Sequence, residues 1–315
     1  MNGTRFDQGQ AKSLAITALL SAVLFYSGFF TFLFAVPVQY SYTRHGGHRG
    51  VLATISAGVL ILAVHLFRVV RISSAVGAPE FVVLDVLMPL GMLAGLAVFN
   101  VARQYPWWLR LLGGGAVALI AAFPSLRVIA LLGQGNGELT EQFNSMLNVM
   151  GVEHNHEIWV QLVRRIVLSS IGLALTAGIA ANWWLGTGIA RRSDGAVLTL
   201  RRARVPDRLV WMVIGGLAVV VATWITGAGR FAPVGWNFLL VGGFLFAIQG
   251  IGLIQHLLHL RGVGAYGERW VLTLVLVGLF IPGVNVLVAG ALPLLGISEL
   301  WIDYRRGERY EGNTE

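Results

Sequence analysis

The stretch Phe246 to Leu260, FAIQGIGLIQHLLHL, places two amides and two imidazoles, Gln249, Gln255, His256 and His259, in an otherwise apolar run. An amide brings paired donors and an acceptor, and an imidazole is a proton carrier near neutral pH or a metal ligand. In hydrocarbon each such group needs a protein partner, because no water satisfies it. At roughly 100° per residue, Gly242, Gln249, Gly252 and His256 share one helix face and Gln255 points away. Such a stripe fits two arrangements. Glycines allow close helix packing with interhelical hydrogen bonds, and the same face can line a substrate pocket inside a bundle.

Few other polar residues interrupt the apolar segments. Asn237 opens the same helix, Asn285 follows the Pro282-Gly283 break, Asp85 lies in another span, and Glu299 and Asp303 stand one turn apart near the end. Broken helices expose backbone carbonyls and amides, which makes Asn285 a candidate for ligand contact. Gln249, His256, Asn285 and Asn237 are therefore the candidate substrate-binding residues. No pair of carboxylates sits deep in the membrane at helical spacing, which argues against an enzyme with a paired acid and base.

Several motifs carry no chemistry in this context. Gly262-Val-Gly-Ala-Tyr-Gly267 matches GxGxxG, but it lies between two apolar spans rather than after a strand. His154 and His156, beside Glu153 and Glu157, lack the HExxH spacing of a zinc site. His45 and His48 sit in a glycine-rich basic turn. With no Walker A sequence, any ATP-driven step needs another subunit. The chain has no cysteine, so disulfides, thiolate nucleophiles and cysteine-based zinc sites are excluded. No catalytic residue, metal or other cofactor is expected.

These side chains must be positioned by membrane helices. Hydrophobic residues make up 56% of the 315 and charged residues only 12%, about half the charge of a soluble domain; the mean hydropathy is +0.72. Taking about 20 apolar residues per span, segments fall near 13–38, 51–67, 81–99, 107–132, 163–188, 209–228, 236–258 and 270–302. The last is too long for one span and breaks at Pro282-Gly283. The first is also long, and a hairpin or re-entrant short helix is favoured there. The expected fold is an all-α polytopic transmembrane helix bundle with about 8–10 membrane segments.

The net charge of +8 is carried almost wholly by arginine, Lys12 being the only lysine. Arginines between apolar spans mark cytoplasmic loops, and no basic stripe interleaved with aromatics points to nucleic acid. Arg191, Arg192, Arg201, Arg202, Arg204 and Arg208 stand against Asp194 and Asp207, so 191–208 reads as a basic cytoplasmic linker between an N-terminal bundle, 1–190, and C-terminal helices, 209–315. Alternation then places Gly262 to Arg269 and the C-terminus inside. The loop between Leu132 and Gln161, with four glutamates, lies outside. Within it Leu139, Phe143, Met146 and Met150 form one apolar stripe, which predicts an amphipathic helix near 138–150. It reads as a cap over an external cavity or as a plain loop helix. The opening MNGTRFDQGQAK lacks a cleavable signal pattern, so Met1 is expected to remain. Ala11, Ala15, Ala18 and Ala22 share a face of the first helix, a small-residue stripe that lets another helix approach closely.

Together these features resemble the YybS-like family of bacterial membrane proteins, built on a domain of unknown function. The similar residues are the turn from Pro37 to Arg44-His45-Gly46, the Arg204-Val205-Pro206 entry to a span, and Asn237 followed by Gln249-Gly250. The ending Gly296-Ile-Ser-Glu-Leu-Trp-Ile-Asp303-Tyr-Arg305 is also similar, with Glu299 where aspartate is expected. The first half looks similar to the S-components of energy-coupling-factor transporters, whose first helix docks on a transmembrane coupling subunit served by ATPases. The resemblance implies that Ala11, Ala15, Ala18 and Ala22 serve partner-helix docking, although S-components have fewer helices. The leading expectation is a multi-pass protein of the bacterial inner membrane, its C-terminus cytoplasmic. It binds or transports a small molecule in a helix-bundle cavity and draws energy from a partner. The alternative is a membrane scaffold or assembly factor that docks cytoplasmic proteins through the arginine-rich linker.

Overall fold

The computed structural model describes residues 8–28, 30–72, 79–131, 141, 144–145, 148–149, 156–194 and 199–305, except the side chains of 69–72, 79–85, 131, 193, 265, 266 and 269. Most of the described residues are helical, with no strand among them. The chain forms two compact units, Met1–Ala196 and Val197–Glu315. The first contains α1 (Gln8–Tyr26), α2 (Val36–His45), α3 (Gly47–Ile72), α4 (Pro79–Val101), α5 (Trp107–Leu131) and α6 (His156–Arg191). The second contains α7 (Val210–Thr226), α8 (Ala232–Leu260), α9 (Ala265–Phe280) and α10 (Val284–Ser298).

Six helices among the described residues are long and apolar enough to cross a membrane, and three shorter ones, Val86–Val101, Trp270–Phe280 and Val284–Ser298, are apolar. In such a bundle the apolar surface faces outward as well as inward, because lipid rather than water is the solvent. Phe123 on α5, Trp224 on α7 and Phe280 on α9 are exposed accordingly. The chain is an all-α, polytopic membrane helix bundle.

Two breaks divide the over-long apolar stretches. The first ends its long helix at Tyr26 and turns at Gly28, φ +73°, before the short α2. The last turns at Gly283, φ +85°, between α9 and α10. Both backbones sit where a side chain is strained, so glycine is the residue that lets the chain reverse. The ten residues of α2 extend about 15 Å, half of a hydrocarbon core. Of the amphipathic stripe expected near 138–150, Leu139, Phe143, Met146 and Met150 lie outside the described residues; Glu141, Asn144, Ser145, Asn148 and Val149 are helical.

In the first unit α1 packs on α3, α2 fills the angle between α3 and α6, and α4 pairs with α5. The α4–α5 crossing is backbone to backbone: a Cβ on Gly114 would stand 2.6 Å from the Gly95 carbonyl oxygen, and one on Gly91 2.8 Å from that of Ala118. Small residues give such pairs dispersion contact that lipid cannot match. Tyr42, Phe34, Leu96 and Ile179 fill the core.

A polar network pins α2 inside this core. Gln39 Nε2 lies 3.2 Å from each of Thr43 Oγ1, Asn100 Oδ1 and Thr187 Oγ1, and Asn100 Nδ2 donates to Gln39 Oε1 at 2.6 Å. Beyond it Arg44 pairs with Asp194 at 3.0 Å. Desolvated amides bond to one another here because each would otherwise lose its water partners without replacement.

In the second unit α8 is central, flanked by α7, α9 and α10. It crosses α10 at Gly250 and Gly296, where a Cβ on either glycine would collide with the other helix's carbonyls, Leu292 O and Phe246 O respectively. This close crossing brings the end of α10 onto the middle of α8 and builds the site described next.

Candidate functional site

Residues 199–205 run as a non-helical strap across α8. Their polar backbone must find partners, since Ala203 and Val205 are buried. Gln255 Oε1 accepts the Leu200 amide hydrogen at 2.8 Å, and Gln249 Oε1 accepts that of Val205 at 2.7 Å. On the carbonyl side, the Arg305 guanidinium donates to Arg201 O at 2.8 Å and to Ala203 O at 3.4 Å. Four backbone groups of a six-residue segment are thus held by three side chains.

Those side chains are themselves fixed. Gln249, 1% exposed, donates from Nε2 to Gly296 O at 3.1 Å and to Glu299 Oε2 at 2.9 Å. Arg305 Nε lies 2.8 Å from Glu299 Oε1, both side chains buried. Gln255 Nε2 donates to the backbone oxygen of Glu268 at 3.1 Å. The buried carboxylate of Glu268 meets His259 Nδ1 at 3.1 Å and Arg201 at 3.7 Å. Two carboxylates taken out of water would be expensive alone, and each has a base beside it.

The strap therefore shows two faces. Ala203 and Val205 point inward, while Arg202 and Arg204, with Arg208 just beyond, are exposed. A turn at 200–203, closed by the Ala203 amide on Leu200 O at 2.7 Å, opens the strap, and the period of two over 202–205 is that of a chain lying on a surface. Gly252 of α8 leaves the space that the Leu200 carbonyl occupies.

The four residues read as substrate-binding are not brought together. Asn237 lies 12 residues before Gln249 on α8, about 18 Å along the axis, and donates to Pro233 O at 2.7 Å within its own helix. Asn285 begins α10, 11 residues from Gly296 and so about 16 Å away. Its Oδ1 accepts the amide hydrogens of Gly283, at 3.1 Å, and Val286, at 2.8 Å, closing the turn. His256 shares the buried face of α8 with Gln249, as the helical spacing indicates. Gln255, placed by that spacing on another face, is just as buried because the strap covers that side too. The side chain of Asp85 lies outside the described residues.

The alanine stripe divides. Ala18 and Ala22 are buried under the neighbouring helices, while Ala11 and Ala15 are exposed. The four do not form one open face for a partner helix, because helices of the same chain occupy the C-terminal half of it. The basic linker divides as well: Arg191 ends α6 and Arg192 opens a short 3-10 turn in the first unit, while Arg201, Arg202, Arg204 and Arg208 belong to the second. Among the described residues no group of three or more His, Cys, Asp or Glu could hold a metal.

The family model described as predicted membrane protein, DUF2232, matches residues 14–297. The chain belongs to the DUF2232 family. No curated protein and no solved structure matches it. The matched residues of this DUF2232 protein span both units and include Gln249, Gln255, Glu268 and the strap, but stop before Glu299 and Arg305. Sequence reasoning missed Gln255, Glu268 and Arg305 as members of one site. The signal that could have found them is the alternation Arg202-Ala203-Arg204-Val205, which suits an extended segment and calls for partners to its backbone.

Proposed function

We propose that this DUF2232 protein is a non-enzymatic membrane scaffold, whose second unit holds an arginine-bearing strap in a fixed shape for an acidic segment of a partner protein. The observation that carries the reading is the clamp on residues 200–205. Its backbone is bound at Leu200, Arg201, Ala203 and Val205, while Arg202 and Arg204 remain exposed. A flexible basic loop loses conformational entropy on binding, and ordering it in advance removes that cost. Opposite charge then steers the partner and sets orientation.

The transport reading asks the Gln249 amide to face a ligand, yet both of its amide protons are committed to Gly296 and Glu299. Each buried carboxylate described in the second unit lies beside a base, which supports a structural rather than a catalytic role.

The test is photo-crosslinking in intact cells from a probe at the Arg204 position. One acidic protein should be captured, and Arg202→Gln with Arg208→Gln should abolish capture without lowering the melting temperature of the purified chain. Capture that is indifferent to these arginines, or no discrete partner at all, overturns the proposal.

A further inference from the structure

The turn joining α4 to α5 in the first unit carries two arginines that no carboxylate among the described residues neutralises. Arg103 Nε donates to Asn100 O at 3.1 Å, and Arg110 Nε donates to Phe99 O at 2.8 Å. These carbonyls belong to consecutive residues in the last turn of α4, so the two guanidinium groups are anchored in one small region.

Each fork is oriented by its Nε. The Arg110 guanidinium also lies over the Phe99 ring at 4.2 Å, and one Nη of Arg103 makes a long contact, 3.4 Å, with Tyr42 O. Among the described residues, most of the Nη hydrogens have no acceptor. A guanidinium fixed by Nε and by stacking presents its terminal nitrogens in the planar geometry that two oxygens of one phosphate match.

The bland account is that both arginines merely cap the carbonyls at the C-terminus of α4. The helix end supplies roughly half a negative charge, against two full positive ones. Capping also uses only the Nε atoms. We propose that Arg103 and Arg110 form a phosphate-binding site at the α4–α5 turn. The phosphate comes from an anionic lipid headgroup or from free inorganic phosphate. The turn stands at the end of a candidate span, and Tyr105, Trp107 and Trp108 supply the aromatic groups that favour a membrane–water interface. This site is independent of the scaffold reading, which concerns the second unit.

The full chain is reconstituted in nanodiscs of phosphatidylcholine with and without phosphatidylglycerol, and separately titrated in neutral detergent with sodium phosphate. Tryptophan fluorescence and native mass spectrometry provide the readouts. Retention of phosphatidylglycerol without a phosphate response assigns the lipid headgroup; a saturable phosphate response assigns the free anion. Either should weaken about tenfold for Arg103→Gln and again for Arg110→Gln, and rising salt should weaken it further. Arg110→Lys keeps the charge and the stem, so it should fold and lose only part of the affinity. Should the glutamine variants fail to fold, the wild-type arms still decide. Wild-type protein that responds to neither probe, or binding that survives both substitutions, overturns the site.

Discussion

Arg305 reaches back six residues to Glu299, its Nε 2.8 Å from a carboxylate oxygen, and the same guanidinium also donates to the backbone oxygens of Arg201 and Ala203. The non-helical residues 299–305 thus tie α10 to the strap. The pair is buried, so its members depend on each other: removing one strands a charge, whereas removing both does not.

Arg305→Met should lower the stability of the second unit by about 3–5 kcal/mol, while Arg305→Met with Glu299→Leu should recover a good part of that loss. Denaturant unfolding in detergent, followed by tryptophan fluorescence, measures both. Equal losses in the single and the double variant would show that the carboxylate is not stranded.

The glutamines clamp the strap and should protect it from proteolysis. Gln249→Leu leaves the buried Val205 amide unsatisfied, at about 1–3 kcal/mol, and Gln255→Leu does the same to Leu200. The open strap population should rise roughly 5- to 150-fold. Trypsin, cutting after the already exposed Arg202 and Arg204, reads that opening directly. Cleavage rates unchanged from wild type would mean that the clamp contributes nothing to the strap's order.

At the α8–α10 crossing, Gly250→Ala and Gly296→Ala should each destabilise by about 1–3 kcal/mol, because the new methyl meets backbone that cannot step aside. Gly243 and Gly290 face open space, and alanine there should be neutral or gain up to about 1 kcal/mol from helix propensity. Melting temperatures of the four variants separate the two classes.

The first helix offers a contrast of the same kind. Ala18→Leu must push a larger side chain into a packed contact and should cost about 1–3 kcal/mol. Ala11→Leu, on exposed surface, should change stability by less than about 0.5 kcal/mol. Equal tolerance at both positions would restore the open four-alanine face.

In the first unit, Asn100→Leu removes the donor 2.6 Å from Gln39 Oε1 and an acceptor for its Nε2. The loss should be about 1–3 kcal/mol, as for any buried amide left short of partners, and protection of α2 amides from hydrogen exchange should fall with it. Unaltered exchange in α2 would mean that shape alone holds this short helix.

Much of the architecture was legible in the residue order. Runs of apolar residues near the length of a bilayer define helices, since a backbone in lipid must bond within its own segment. Pro282-Gly283 marked the break in the last stretch, and the Gln249–His256 face was readable from helical spacing alone. The amide of Gln249 read equally well as packing or as pocket lining, because a periodicity argument names a face and not what lies against it. The four candidate ligand residues were grouped by chemistry, yet two of them lie about 16 to 18 Å along helix axes from the Gln249 region.

Composition and periodicity by themselves determined that this chain is a bundle of membrane helices and where most of them run, because burial in lipid acts on each segment locally. Only the tertiary structure decided that residues 199–205 fold back on α8, that Gln255 and Gln249 hold their amides, and that Arg305 meets Glu299. Those pairings join residues up to 55 positions apart. What selects them is the close approach of two glycine-notched helices, a relation between surfaces that no local pattern encodes.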